Sequence, residues 1–295
     1  MIAFAEALQS GKILILDGAT GTQLVARGGT TGALSNFECP DVVKAVHADY
    51  KAAGANIILT NTLAANRIAL EHAGLVDKIV EINETGARLC REAVGDDCYV
   101  CGDMSSTGKF MEPLGDYTEQ QFYDNAAEQA EILTESGVDL IIIETMTDVR
   151  ETAIAVRAAK DASGLPVIAS IAFDPAGGGF RTMMGDTVEK AVLTLAEAGA
   201  DAVGSNCGTL DPWEVSRVIA DMRSHTPEGG GVRLIAMPNA GKPELSAGQV
   251  TFKLTPEEFA DGAMKCVEAG ATLIGGCCGT TPAHIAALAK RVKAL

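Results

Sequence analysis

Four tripeptides, Ala53-Gly54-Ala55, Ser136-Gly137-Val138, Ala198-Gly199-Ala200 and Ala269-Gly270-Ala271, fall between a helical pattern and a short apolar run. Glycine at that point ends a helix by taking the left-handed conformation, so one αβ unit recurs along the chain. Apolar runs of strand length occur at 13–16, 56–59, 98–101, 140–143, 167–171, 202–203, 234–236 and 272–274. Helical patterns lie between them, for example at 41–53, 118–136, 148–162, 187–198, 212–223, 256–269 and 282–293. Several begin with a capping residue or a first-turn proline: Thr118, Asp148, Asp211-Pro212, Thr255-Pro256 and Thr281-Pro282. Eight strands alternating with helices predict an α/β chain folded as one (β/α)8 TIM barrel over residues 1–295. An open doubly wound sheet would need a nucleotide loop after its first strand. The segment Asp17-Gly18-Ala19-Thr20-Gly21-Thr22 fits neither GxGxxG nor a phosphate loop. The loosest segment is a surface loop at 226–231, with a proline and three glycines.

Composition narrows the partners. With 23 basic and 39 acidic side chains the net charge is -16, which argues against nucleic acid or an anionic membrane. No apolar run approaches membrane-span length, and residues 1–11 carry no cationic segment ahead of an apolar one. Eight cysteines in a 295-residue chain suit a reducing compartment, so a cytoplasmic location is expected. None of the four histidines forms a spaced metal pair with another.

Polar residues follow each apolar run, where a barrel places its active site. They are Asp17, Thr60-Asn61-Thr62, Asp103, Glu144, Asp174, Asn206-Cys207, Asn239 and Cys277-Cys278. The adjacent pair Cys277-Cys278 lies in a glycine frame that lets both sulfurs turn toward one point. With Cys207, set in Gly204-Ser205-Asn206-Cys207-Gly208, it makes a three-thiolate claw with one open position, as in catalytic zinc sites. Cys98 and Cys101 form a C-x-x-C inside the third run, and a spacing of three in a strand points them to opposite faces, as core residues. Cys39, Cys90 and Cys266 stand alone and are read as structural. Asp17 and Glu144 each close an aliphatic run, which suits recognition of a substrate ammonium, and the Gly18 and Ala19 amides suit the matching carboxylate. Alternatively Asp17 caps its loop and Glu144 pairs with Arg150.

These landmarks, together with Gly275-Gly276-Cys277-Cys278-Gly279-Thr280-Thr281-Pro282-Ala283-His284-Ile285, resemble the homocysteine S-methyltransferase family across nearly the whole chain. The resemblance implies a (β/α)8 barrel holding Zn2+ on Cys207, Cys277 and Cys278, with the homocysteine thiol in the open position. It implies that Asp17 and Glu144 hold the amino group and Gly18 and Ala19 the carboxylate. It also implies that Asn239 lies near the metal and can fill the open position before substrate arrives. Free thiols titrate near ~8.5, and zinc deprotonates a bound thiol. Three thiolate ligands keep the excess charge that leaves the substrate sulfur nucleophilic.

Family members differ in methyl donor: a corrinoid, S-methylmethionine, S-adenosylmethionine or betaine. The stretches at 107–115, 178–185 and 237–243 are most similar to the homocysteine module of cobalamin-dependent methionine synthase. That implies methylcobalamin or another corrinoid on a separate carrier protein, docking over the loop with Lys109, Glu112 and Pro113. No Asp-x-His-x-x-Gly corrinoid motif is present. With one tryptophan, Trp213, and no aromatic cluster at the strand ends, the chain offers little for a betaine cage. Two rival classes are a metal-free barrel lyase or hydrolase using Asp17, Asp103 and Glu144, and a non-catalytic zinc-binding barrel.

Overall fold

A computed structural model describes residues 1–226, 231–246 and 249–295. The eight barrel strands are β1 (Leu14–Ile15), β2 (Ile57–Leu59), β3 (Tyr99–Met104), β4 (Leu140–Met146), β5 (Val167–Ile171), β6 (Ala202–Asn206), β7 (Arg233–Met237) and β8 (Leu273–Ile274). Neighbours pair in parallel from β2 round to β8, and β8 pairs with β1. A bridge between Leu16 and Ile57 joins β1 to β2, with Asn56 N donating to Ile15 O at 2.7 Å and Asp17 N to Ile57 O at 3.0 Å. The ring is closed, as a (β/α)8 barrel requires.

The outer helices are α1 (Pro40–Ala53), α2 (Ile79–Val94), α3 (Glu119–Glu135), α4 (Val149–Ser163), α5 (Val188–Glu197), α6 (Pro212–His225), α7 (Pro256–Ala269) and α8 (Pro282–Val292). The expected caps form: Thr118, Asp211 and Thr255 accept from the third residue of α3, α6 and α7, each in a reciprocal pair with Gln121, Glu214 and Glu258. The glycines of the four opening tripeptides all take positive φ after their helices. The expected loop at 226–231 lies, apart from its ends, outside the described residues.

Side-chain alternation sorts the aliphatic residues into two cores. Leu16, Ile57, Leu59, Cys101, Leu140, Ile142, Ile168 and Ile235 fill the barrel interior. Their strand neighbours, such as Ile58, Val100, Ile141, Ile143 and Val203, pack outward under the helices. The lower end is stoppered by a helix at Phe4–Gln9, whose Phe4 meets Tyr99 edge-on at 5.2 Å while Tyr99 Oη donates to Ile2 O at 2.9 Å. Cys101 faces the interior and Cys98 the helix layer, so this C-x-x-C is two core residues on opposite faces. Among the described residues no helix is long and apolar enough to cross a membrane.

β3, β4 and β6 each continue three residues beyond their apolar runs. At those ends the interior turns polar, so Asp103, Glu144 and Asn206 stay on the ladder while hydrophobicity no longer marks it.

Candidate active site

β6 ends at Asn206, and the next residue, Cys207, takes φ +57°. Thr145, just after Glu144, has the same value. They are the two non-glycine residues with positive φ among the described residues, and both conformations cost energy that site geometry must hold in place. Gly208 follows Cys207 at φ +67°, where an added Cβ would come within 2.8 Å of Phe173 O. The chain turns there, which presents Cys207 to the barrel mouth.

Cys207, Cys277 and Cys278 place their sulfurs within 4.8 Å of one another, with the Sγ atoms of Cys207 and Cys278 at 3.9 Å. Tetrahedral zinc with Zn–S bonds near 2.3 Å separates its sulfurs by about 3.8 Å. The donor set and its spacing therefore fit Zn2+. Hydrogen bonds from Cys277 and Cys278 pull the Cys207 thiol down to about 3, and the same bonds with Cys207 raise the other two. A dication would draw off the protons that remain on the thiols.

Three buried carboxylates stand at the ends of β1, β3 and β4, and Glu144 among them feels the charge of Cys207. Asp17 Oδ2 accepts from Leu59 N at 3.0 Å; burial raises its pKa well above the usual range, with the Glu144 charge adding to it. Glu144 is pushed up to about 8, by burial first and by the Cys207 charge second. Asp103 is raised by burial and then by Glu144 and Asp17. Arg150 is exposed and pairs with Glu119, while donating to Glu112 O at 3.2 Å. The alternative in which Arg150 neutralises Glu144 is thereby replaced: Arg150 turns to Glu112 and Glu119.

Asn206 holds the parts together, and its side chain had no assigned role in the sequence. Its Nδ2 donates to Thr145 Oγ1 at 2.8 Å and Glu144 Oε2 at 3.2 Å, and lies 3.8 Å from Cys277 Sγ. Its Oδ1 accepts from Ser170 Oγ at 2.7 Å and Thr145 N at 3.0 Å. The sequence signal was its place at a strand end beside Cys207; its partners come from three other strand ends.

Thr280 and Tyr50 tie the first loop to the last. Ala19 N donates to Thr280 Oγ1 at 3.0 Å, and Thr280 Oγ1 donates to Cys277 O at 2.7 Å. Tyr50 Oη reaches Ala19 O at 3.0 Å and Thr280 O at 3.2 Å. Gly18 lies so close to these side chains that a Cβ there would sit 2.9 Å from Tyr50 Oη. The Ala19 amide, expected to face a substrate carboxylate, is thus engaged by Thr280. Asn239 Nδ2 donates to Gly208 O at 2.9 Å, and its buried Oδ1 has no partner among the described residues. His284 is structural: its ring bonds Thr281 Oγ1 at 2.8 Å and Leu254 O at 3.0 Å. The loop with Glu112 and Pro113 borders a groove of about 220 Å³ shared with Met184, Asp186 and Lys190.

The family model described as Homocysteine S-methyltransferase matches residues 14–292. The chain belongs to the homocysteine S-methyltransferase family. It is 32% identical to the methionine synthase of Mycobacterium tuberculosis over 96% of its own length, but spans only 25% of that protein. It is 30% identical to betaine–homocysteine S-methyltransferase 1 of Danio rerio, covering 98% of this chain and 75% of that one. The metallated form of the homocysteine methyltransferase MmuM from Escherichia coli superposes with a TM-score of 0.76 at 27% identity, over 97% of this chain and 98% of the other.

Proposed function

We propose that this protein transfers a methyl group to the thiol of homocysteine, giving methionine, with Zn2+ on Cys207, Cys277 and Cys278. The observation that carries the reading is the meeting of three thiols with buried carboxylates that, among the described residues, no basic side chain neutralises. Such a mouth is matched by a metal dication and a substrate ammonium together. Bound there, Zn2+ would act as a Lewis acid that keeps a thiol deprotonated at neutral pH.

The protein's own groups do the rest. Asp17 and Glu144 take the homocysteine ammonium, with Asn206 Nδ2 fixing the Glu144 carboxylate. The substrate carboxylate falls to the Gly18–Ala19 turn, chiefly to Gly18, because Thr280 occupies the Ala19 amide. The unpartnered Asn239 Oδ1 supplies an oxygen beside the thiols until substrate displaces it. Orientation by these contacts lets the sulfur meet the methyl carbon in line. The new C–S bond forms as the donor's bond to the methyl breaks, and its electron pair stays on the leaving atom.

For the donor, a small methylated cation replaces the corrinoid carrier expected from the loop sequences. Support comes from relatives that this chain covers over most of their length, one a betaine–homocysteine enzyme and one a homocysteine methyltransferase. The methionine synthases are matched over about a quarter of theirs. The donor is then S-methylmethionine or betaine; a quaternary ammonium is best held by aromatic rings, and Trp213, the single tryptophan, is 41% exposed. Methionine formation from homocysteine should be assayed with zinc-loaded protein against S-methylmethionine, betaine, S-adenosylmethionine and methylcobalamin. Turnover with a small donor is the expected result. Turnover with methylcobalamin alone would restore the corrinoid reading, and zinc binding without turnover on any donor would favour a non-catalytic barrel.

A further inference from the structure

Asp103 is a third acidic group in the mouth, and no part of the site described so far uses it. Its position is built with care. Thr60 Oγ1 accepts from Asp103 N at 3.0 Å, Thr62 Oγ1 donates to Asp103 O at 2.8 Å, and the two hydroxyls meet at 2.7 Å. Both threonines thus hold the backbone of Asp103 and leave its carboxylate alone. Tyr99 and Cys101 on the same strand face the barrel interior, so alternation turns Asp103 inward as well. Only 6% of the residue is exposed, and Oδ1 is buried with no hydrogen-bond partner among the described residues. The charged groups acting on it are Glu144 and Asp17, both acidic.

A buried carboxylate without a partner is costly unless a cation meets it when the protein works. Register identifies that cation. Asp103 pairs with Ile142, two residues before Glu144, so it lies one layer deeper than Glu144. A methyl donor enters from the open end, above that layer. An acceptor's amino group, drawn between Asp17 and Glu144, comes down to it. A primary ammonium offers three N–H donors, and the mouth offers three carboxylates.

We infer that Asp103 is a specificity residue that, with Asp17 and Glu144, completes a cage for the primary ammonium of an α-amino thiol. This rests on the homocysteine reading above and extends it to a residue with no assigned role. The cage selects α-amino thiols over mercapto acids of equal length, and unmodified amines over N-alkylated ones.

Equilibrium binding to zinc-loaded protein tests it, with L-homocysteine and 4-mercaptobutanoate, which lacks the amino group, as probes. Wild type should prefer homocysteine, and Asp103→Asn should reduce that preference by about tenfold or more, with zinc content and 4-mercaptobutanoate affinity unchanged. An unaltered preference in Asp103→Asn would overturn the role of Asp103 while leaving the homocysteine reading intact. No preference in wild type would remove both. Should Asp103→Asn fail to fold, Asp103→Ser, which keeps a polar group at the position, supplies the same comparison, with the same outcomes for and against the role of Asp103. N-methyl and N,N-dimethyl homocysteine should bind progressively more weakly, and equal affinity for all three amines would overturn the cage.

Discussion

Cys207 Sγ stands 3.9 Å from Cys278 Sγ although 71 residues separate them in the chain. Two barrel strand ends, β6 and β8, bring them together, so the claw depends on the closed ring and not on any local motif. Replacing Cys207, Cys277 or Cys278 by alanine should release zinc and abolish turnover, while the circular dichroism of the barrel stays native. Stoichiometric zinc in all three variants would refute the ligand assignment. Cys98→Ala, one residue before β3 and packed in the core under the helices, should keep both zinc and activity.

Asn206→Ala should keep zinc and lose activity. The change leaves Glu144 Oε2 and Thr145 N without their partner and frees a strained Thr145 backbone. Each lost bond to a buried or charged group is worth about 1–3 kcal/mol, enough to be read in a urea melt. A rise in KM for homocysteine larger than that for the methyl donor is expected, since Glu144 serves the acceptor.

Tyr50→Phe removes one hydroxyl that binds both Ala19 O and Thr280 O. A loss of about 1–2 kcal/mol in stability is expected, with weaker homocysteine binding because the Gly18–Ala19 turn loosens. Unchanged binding alongside lowered stability would show that the turn does not contact substrate.

His47 is fully buried on α1, with neither ring nitrogen partnered among the described residues, and burial lowers its pKa to about 4 from 6.5. The unfolded chain therefore binds the proton more readily than the folded one. Its contribution to stability is present above pH ~6.5 and is lost as pH falls through about 4. The sum over that window is about 3 kcal/mol. His47→Phe should flatten this limb of a Tm-against-pH curve, and a limb of equal steepness in the variant would assign the acid sensitivity elsewhere.

The sequence carried the barrel and its metal claw because both rest on local signals. Aliphatic runs, caps and terminal glycines mark strands and helices, and adjacent cysteines in a glycine frame are rare enough to stand out. Three strand ends extend past their apolar runs, because polar interior positions imitate loops. Asn206, Thr145 and Asp103 acquire roles only through partners on other strands, such as Ser170 and Thr60. No spacing rule encodes those meetings. The Arg150 alternative failed for the converse reason: Glu144 and Arg150 are near in sequence but lie on a strand end and a helix face pointing apart.

The seam between β1 and β8 has a consequence for biosynthesis. Two of the three thiols arrive in the loop after the last strand, and the Ala19–Thr280 bond joins the first loop to that one. A nascent chain halted before residue 273 carries one ligand and an open wall, so it can be neither metallated on the full claw nor active. Zinc uptake during synthesis would report the moment the ring shuts, and chelator resistance would count the chains that have shut it.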